Sequence, residues 1–358
     1  MIKRKKTKTV KVGNIGIGGE NPVRIQSMTS TRTSNIDATE KQIQELLDAG
    51  CELIRISIPD LKSLNAFETI RKDFLDVPLI ADIHFNHRLA ILSMEKGADK
   101  IRINPGNIND KKKVDEIIEA AKQNKKPIRI GVNSGSLEND LIEKYGGVFP
   151  EALVESAIRW TDYFTSKGFY DIIISVKSSS VPHTIKAYTL LSEKTDFPLH
   201  VGVTEAGPFL PGTVKSSIAM GYLLYNGIGD TVRVSLSEDP VKEVEVAWEI
   251  LKSLEIRYNG PMLISCPTCA RTRVDLLRIV KEVERMIKKH SIPIKVAVMG
   301  CEVNGPGEAR DADIGVAAEP GYGIIFKKGK VIKRVKEDQI VSEIEKEIIK
   351  MEEENDHS

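Results

Sequence analysis

The chain has 358 residues, with 52 lysines and arginines against 51 aspartates and glutamates. That length exceeds one ordinary domain and suits a barrel followed by a smaller domain, and a net charge of +1 excludes the basic excess of a general nucleic-acid binder. No apolar run reaches the roughly 18 residues a membrane span needs, and the basic N-terminal segment lacks the apolar core of a secretory signal, so a cytoplasmic protein is expected. Residues 9–17 read as a hairpin closing the bottom of a barrel. Eight β-rich runs follow, at 23–28, 52–58, 78–84, 100–104, 127–133, 171–177, 198–204 and 231–237, and a helical pattern succeeds each. Alternating β and α with apolar strands predicts a parallel sheet. Eight such units in about 250 residues is the arithmetic of a (β/α)8 TIM barrel. The eighth helix opens with Asp239 as N-cap and Pro240 as first residue. After Asn259-Gly260-Pro261 the pattern changes. A strand at 262–266, a helix from about 271 to 289, strands at 294–300, 313–317 and 322–326, and a charged helix at 336–354 make a small α/β domain. The division is a barrel over residues 1–258 and a second domain over 259–358.

Strands of a parallel barrel should be apolar on both faces, yet several carry polar residues at period two. Arg102 and Asn104 share a face, as do Arg129 and Asn133, Ser175 and Lys177, the trio Arg233, Ser235 and Ser237, Gln26 and Met28, and Asp82 and His84; Arg55 lies in the second strand. They cluster toward the C-terminal strand ends, where barrel enzymes keep their sites. Buried unpaired guanidinium groups are expensive, so several at one mouth point to a phosphate or diphosphate, which Arg binds through paired hydrogen bonds. The bland alternative is a local salt bridge for each arginine. Thr204-Glu205-Ala206-Gly207 ends the seventh strand. Glu205 there is either a proton-transfer group or a counter-ion for the arginines.

Four cysteines in a chain this long make no disulfide scaffold. Cys266 and Cys269 stand at a strand-to-helix turn, and Cys301 ends the next strand. Three thiolates on neighbouring loops suit an iron–sulfur cluster or zinc. A Cys-x-x-Cys pair also occurs in dithiol oxidoreductases, against which Cys301 argues. His290 is expected at the surface, and Cys51 as a buried small hydrophobe. Lys111 to Lys113 and Lys327-Lys328 read as solvated faces.

Cys-Pro-Thr-Cys at 266–269, Met-Gly-Cys-Glu-Val-Asn-Gly-Pro-Gly-Glu-Ala at 299–309, Val-Thr-Glu-Ala-Gly at 203–207 and Ala-Asp-Ile-His-Phe at 81–85 resemble the 4-hydroxy-3-methylbut-2-enyl diphosphate synthase family, in its short bacterial form. The likeness covers essentially the whole chain. One departure is Ala270, where the family commonly has Gly. The resemblance implies a [4Fe-4S] cluster held by Cys266, Cys269, Cys301 and Glu308. It implies two-electron reductive opening and dehydration of 2-C-methyl-D-erythritol 2,4-cyclodiphosphate, with flavodoxin or ferredoxin as donor. The family's diphosphate positions fall on Arg55, Arg102, Arg129, Lys177 and Ser235, with Asn104, Asn133 and Thr204 beside them, and Glu205 falls on its proton-transfer carboxylate. Two other classes remain as alternatives: a phosphosugar lyase or aldolase barrel with a structural zinc domain, and a non-catalytic iron–sulfur sensor. A head-to-tail homodimer is also expected. The helix from Pro240 returns the chain to the barrel bottom. About seven further residues span at most about 25 Å, too short to route a domain comfortably past helices about 20 Å long.

Overall fold

The computed structural model describes residues 2–301, 307 and 311–356. The chain divides into two compact units, Met1–Arg257 and Tyr258–Ser358.

In the first unit a hairpin of β1 (Val10–Val12) and β2 (Ile15–Ile17) precedes eight strands: β3 (Arg24–Met28), β4 (Leu53–Ser57), β5 (Leu79–Ile83), β6 (Lys100–Ile103), β7 (Ile128–Asn133), β8 (Ile172–Lys177), β9 (His200–Val201) and β10 (Thr231–Val232). Between and after them run α1 (Ile36–Asp48), α2 (Leu61–Asp73), α3 (His87–Glu95), α4 (Lys111–Asn124), α5 (Asn139–Tyr145), α6 (Pro150–Ser166), α7 (Val181–Lys194), α8 (Phe209–Tyr225) and α9 (Pro240–Ser253). The sheet order is β8-β7-β6-β5-β4-β3-β10-β9. The strands are parallel throughout, and a parallel bridge between Ile174 and Leu199 closes the ring. All eight expected runs are strands of one barrel, although β9 and β10 are shorter than their runs. The short α5 is an addition to the expected pattern.

Side-chain alternation explains the closure. Ile54, Ile56, Ile101, Ile103, Ile128 and Ile130 face outward and are fully covered by the helices. Leu53, Ile80 and Ile173 face inward at the N-terminal strand ends, where they pack on Val10, Val12 and Ile17 of the hairpin. The hairpin thus plugs the bottom as its sequence predicts, with Gly13 supplying the positive φ (58°) its turn requires. Asp239 caps α9 by accepting from the Val241 amide at 2.8 Å. Beyond α9, Arg257 fastens the chain at the same face. It donates to the Val23 carbonyl (2.6 Å) and to Glu52 Oε2 (2.7 Å) and lies over the Trp248 ring.

The second unit comprises β11 (Met262–Ser265), α10 (Leu276–Ile287), β12 (Lys295–Met299), β13 (Ile314–Glu319), β14 (Tyr322–Lys327), β15 (Lys330–Lys336) and α11 (Ile340–Asp356). The sheet runs β11-β12-β13-β14-β15, parallel across the first three strands and antiparallel beyond. Helices α10 and α11 cover one face through Ile279, Val283, Ile340, Ile344 and Ile348. Three expectations need correction. The helix expected from 271 begins at Leu276, because Arg273 donates its amide to the Gly300 carbonyl (2.9 Å) and Asp275 caps from outside. Strand β15 was hidden by its charge; four of its seven residues are Lys or Arg, which suits an edge strand. His290 is not a free surface group. Its side chain is 8% exposed and Nδ1 lies 2.8 Å from Glu352.

Candidate functional site

The inward face of the barrel changes character above the apolar plug. Lys100, Arg129, His200 and Gln26 are at most 2% exposed, and Arg55, Arg102 and Lys177 at most 8%. Arg102 pairs in register with Arg129 across β6 and β7, and Asn133 with Lys177 across β7 and β8. One ring of strands therefore points Arg55, Arg102, Arg129 and Lys177 into a single lumen. Asn104, Asn133, Thr204 and Ser235 stand higher, at or just past the C-terminal ends of β6, β7, β9 and β10.

Two carboxylates face these cations. Asp82 lies 3.3 Å from Arg102 Nη1 and 3.8 Å from Arg55 Nε, and it also meets His84 Nε2 at 3.2 Å. Burial alone would raise Asp82, but Arg55, His84 and Arg102 outweigh it and hold the carboxyl well below the usual range. Glu243, on α9, reaches Arg233 Nη2 at 3.4 Å and accepts from Ser27 Oγ at 2.9 Å and the Leu236 amide at 3.0 Å.

Neither Arg129 nor Lys177 has a carboxylate within ion-pair distance among the described residues. Buried Arg129 Nε and Nη1, Arg102 Nε and Arg233 Nε have no protein hydrogen-bond partner. Arg55 directs Nε and Nη2 at Met28 Sδ (3.1 and 2.9 Å), a weak acceptor. Burial, reinforced by Arg233 and Arg102, lowers Arg55 to about 9 despite Asp82. Burial with neighbouring cations likewise pushes Arg129 and Lys177 well below their ordinary values. Cations left short of acceptors in a closed lumen are the mark of an anion site. Two glycines fit the same reading. A Cβ on Gly131 would stand 2.8 Å from Arg102 Nε, and one on Gly202 would stand 3.0 Å from Lys177 Nζ and 2.3 Å from the Arg233 carbonyl oxygen.

Asn104 braces the mouth by donating to Ser136 Oγ (2.7 Å) and accepting from the Gly106 amide (3.1 Å). Glu205 is exposed and adopts φ of +53°, a left-handed conformation that costs a non-glycine residue about 1–3 kcal/mol and often marks function. It forms no ion pair among the described residues, so Asp82 and Glu243 are the counter-ions instead. Sequence reading missed Lys100, His200 and Glu243. The first two continue the period-two pattern of Arg102 and Gly202 and were open to that argument. Glu243 lies on a helix and carried no such signal.

In the second unit, Cys266 follows β11 and Cys301 follows β12, at the same edge of two parallel neighbours. The Gly300 amide donates to Cys266 Sγ at 3.1 Å, which ties the two cysteine loops together. Cys269 is exposed, and the Arg271 amide pulls its thiol below the ordinary value. All three thiols are free. This soft donor set, with an amide already aimed at sulfur, fits an iron–sulfur group. Glu308 lies outside the described residues, among which no three acidic, His or Cys side chains stand close enough to hold a metal ion. Cys51 is 4% exposed, and burial raises its thiol to about 12.

A family profile described as the GcpE TIM-barrel domain matches residues 7–248, and one described as the GcpE protein C-terminal domain matches residues 262–350. The chain belongs to the GcpE family. GcpE relatives of similar length include the 4-hydroxy-3-methylbut-2-en-1-yl diphosphate synthase (flavodoxin) of Caldanaerobacter subterraneus subsp. tengcongensis, 54% identical over 98% of this chain and 99% of that one. The protein of the same name from Lawsonia intracellularis is 52% identical over 97% of each chain. Among solved structures, this GcpE chain resembles type I 3-dehydroquinate dehydratase from Clostridium difficile (TM-score 0.52, 16% identity, 70% of this chain and 98% of that one). It also resembles the Yersinia pestis enzyme titled DHPS (TM-score 0.50, 14% identity, 69% of this chain and 100% of that one). Those two likenesses concern the barrel fold alone. No helix among the described residues is long and apolar enough to cross a membrane.

Proposed function

We propose that this GcpE protein opens, dehydrates and reduces 2-C-methyl-D-erythritol 2,4-cyclodiphosphate to (E)-4-hydroxy-3-methylbut-2-enyl diphosphate in isoprenoid biosynthesis. The reaction takes in two electrons and one proton, releases water, and leaves the diphosphate with one more negative charge. The observation that carries the reading is the cation-rich lumen with unpartnered guanidinium nitrogens, in a chain half identical to synthases of that name. The curated names also set aside the lyase reading.

Arg55, Arg102, Arg129 and Lys177 bind the diphosphate, and Asn104, Asn133, Thr204 and Ser235 orient it from the mouth. Glu205 holds the proton that leaves with the departing hydroxyl. Its exposure and lack of an ion pair support that role over a counter-ion role. The family resemblance implies an iron–sulfur enzyme, and the three free thiols of the second unit support that reading. Cys266, Cys269, Cys301 and the exchangeable Glu308 would hold a [4Fe-4S] cluster, which supplies single electrons for C–O cleavage when bound. Flavodoxin is the expected donor, from the relatives' names, with ferredoxin as the alternative carrier. A cytoplasmic head-to-tail homodimer would bring one chain's second unit to the partner's barrel. The Arg257 anchorage supports it, since the barrel chain ends on the face away from the mouth. Anaerobic turnover of the cyclic diphosphate with a one-electron reductant tests the reaction. Phosphorus NMR should show the linear diphosphate, and an unconsumed substrate with iron-loaded protein refutes it.

A further inference from the structure

Lys100 plays no part in the reaction as described above, and its surroundings are unusual. It opens β6, one inward-facing position below Arg102, and is fully buried. No carboxylate lies within ion-pair distance of it among the described residues. Its hydrogen bond is a long one, from Nζ to Gln26 Oε1 at 3.4 Å, and Gln26 Nε2 has no protein partner. Arg129 on β7 and Arg55 on β4 repel its ammonium. Burial, reinforced by these two guanidinium groups, pushes its pKa well below that of lysine. His200 on β9, also buried, has Nδ1 engaged by Thr231 Oγ1 at 2.8 Å and leaves Nε2 unpartnered.

The charge of the lumen gives this residue a use. The basic side chains Arg55, Lys100, Arg102, Arg129, Lys177 and Arg233 outnumber the acidic Asp82 and Glu243 among them by four. Each phosphorus of a cyclic diphosphate is bonded to one ester oxygen and one anhydride oxygen and keeps one ionised oxygen. The ring therefore carries two negative charges. Cleavage of a C–O bond leaves the former ester oxygen on phosphorus, and the open diphosphate carries three. The lumen is thus over-charged for the substrate and closer to the opened form. Interactions that strengthen as charge develops are the ones that accelerate a step.

We propose that Lys100 is a positioning residue whose buried charge favours the ring-opened diphosphate over the cyclic one. The proposal rests on the cyclodiphosphate reading of the lumen. Lys100 acts from beneath the diphosphate, through Gln26 and Arg129. Its ammonium is costly to keep in the empty lumen and becomes less so as the anion gains charge.

The test uses the oxidised holoenzyme, which binds without turnover, at about pH 8, where the terminal phosphate is ionised. Calorimetry gives the affinities of the cyclic and the linear diphosphate for wild type, Lys100→Met and Lys100→Gln. The variants should lose about 10–100-fold in affinity for the linear ligand, the effect of one charge in a partly desolvated site. They should lose less than about 3-fold for the cyclic ligand. Under reducing conditions kcat should fall while KM stays nearly constant. Equal loss for both ligands, or no loss for either, overturns the inference. The Gln variant keeps a polar end for Gln26 and decides the matter if the Met variant fails to fold. A wild-type protein that binds neither ligand overturns the proposed reaction as well. One that binds both, with an unchanged ratio in the variants, overturns the role of Lys100 alone.

Discussion

Replacing Arg129 by Met should stabilise the ligand-free protein while weakening diphosphate binding. Arg129 is 2% exposed, has no carboxylate partner, and leaves Nε and Nη1 without a protein acceptor. An unsatisfied buried donor costs about 1–3 kcal/mol, so two cost about 2–6 kcal/mol. Methionine is apolar, unbranched and shorter, and the space it leaves costs about 1–3 kcal/mol by analogy with other core truncations. The midpoints of the two ranges leave a net gain of about 2 kcal/mol. Tm then rises by roughly 2–4 °C per kcal/mol for a unit of this size. Losing a buried, charge-paired contact should in turn weaken diphosphate binding by about 2–5 kcal/mol. Differential scanning calorimetry of both proteins without ligand, and titration of each with the cyclic diphosphate, give the two quantities. A variant that melts earlier and binds normally would show that Arg129 is a structural element and that the anion site lies elsewhere.

Glu205→Gln should lower turnover by about 10²–10⁴ with a smaller change in binding; unchanged turnover removes the carboxylate from proton transfer. Cys301→Ser should lose iron and activity together, whereas native anaerobic protein should hold about four irons per chain; stoichiometric zinc in place of iron and sulfide refutes the cluster. Asp82→Asn should cost about 3–5 kcal/mol by stranding Arg102 and Arg55. Because the folded-state pKa of Asp82 is depressed, that contribution is fully present above its unfolded value of about 3.9. It fades only as pH falls through the folded pKa. Urea unfolding should therefore show the same penalty at pH 5 and pH 8, and a penalty that vanishes by pH 6 contradicts the pairing. Mixing Arg129→Ala with Cys301→Ser under verified subunit exchange should restore activity, because a hybrid dimer holds one site with neither defect; no recovery argues that each site uses a single chain.

The barrel was legible because two periodicities coincide in its strands. Outward Ile and Val at every second position mark the helix-covered face, and the residues between them could only point inward. That same argument exposes Arg102 and Arg129, and it extends to Lys100, which was passed over because a lysine at a strand's first residue reads more readily as a solvated end. Glu243 was beyond it. Its role depends on α9 swinging a helical carboxylate against Ser27 and Arg233, a contact no local pattern encodes. Strand β15 was lost for the opposite reason. Its cations suggest a loop, but Lys333 is satisfied by Glu343 and Glu347 of α11 and Arg334 by Glu319 of β13.

The hairpin beneath the barrel makes the lumen a cul-de-sac. Val10, Val12 and Ile17 meet Leu53, Ile80 and Ile173 with none of the six more than 1% exposed, so traffic has one entrance, at the mouth. Whatever enters must back out by the way it came. Product and incoming substrate therefore contend for one doorway, and the linear diphosphate should inhibit competitively against the cyclic one. Any cover drawn over the mouth during reaction must be withdrawn once per turnover. An enzyme built this way must release each trianionic product through the mouth before the next substrate can enter.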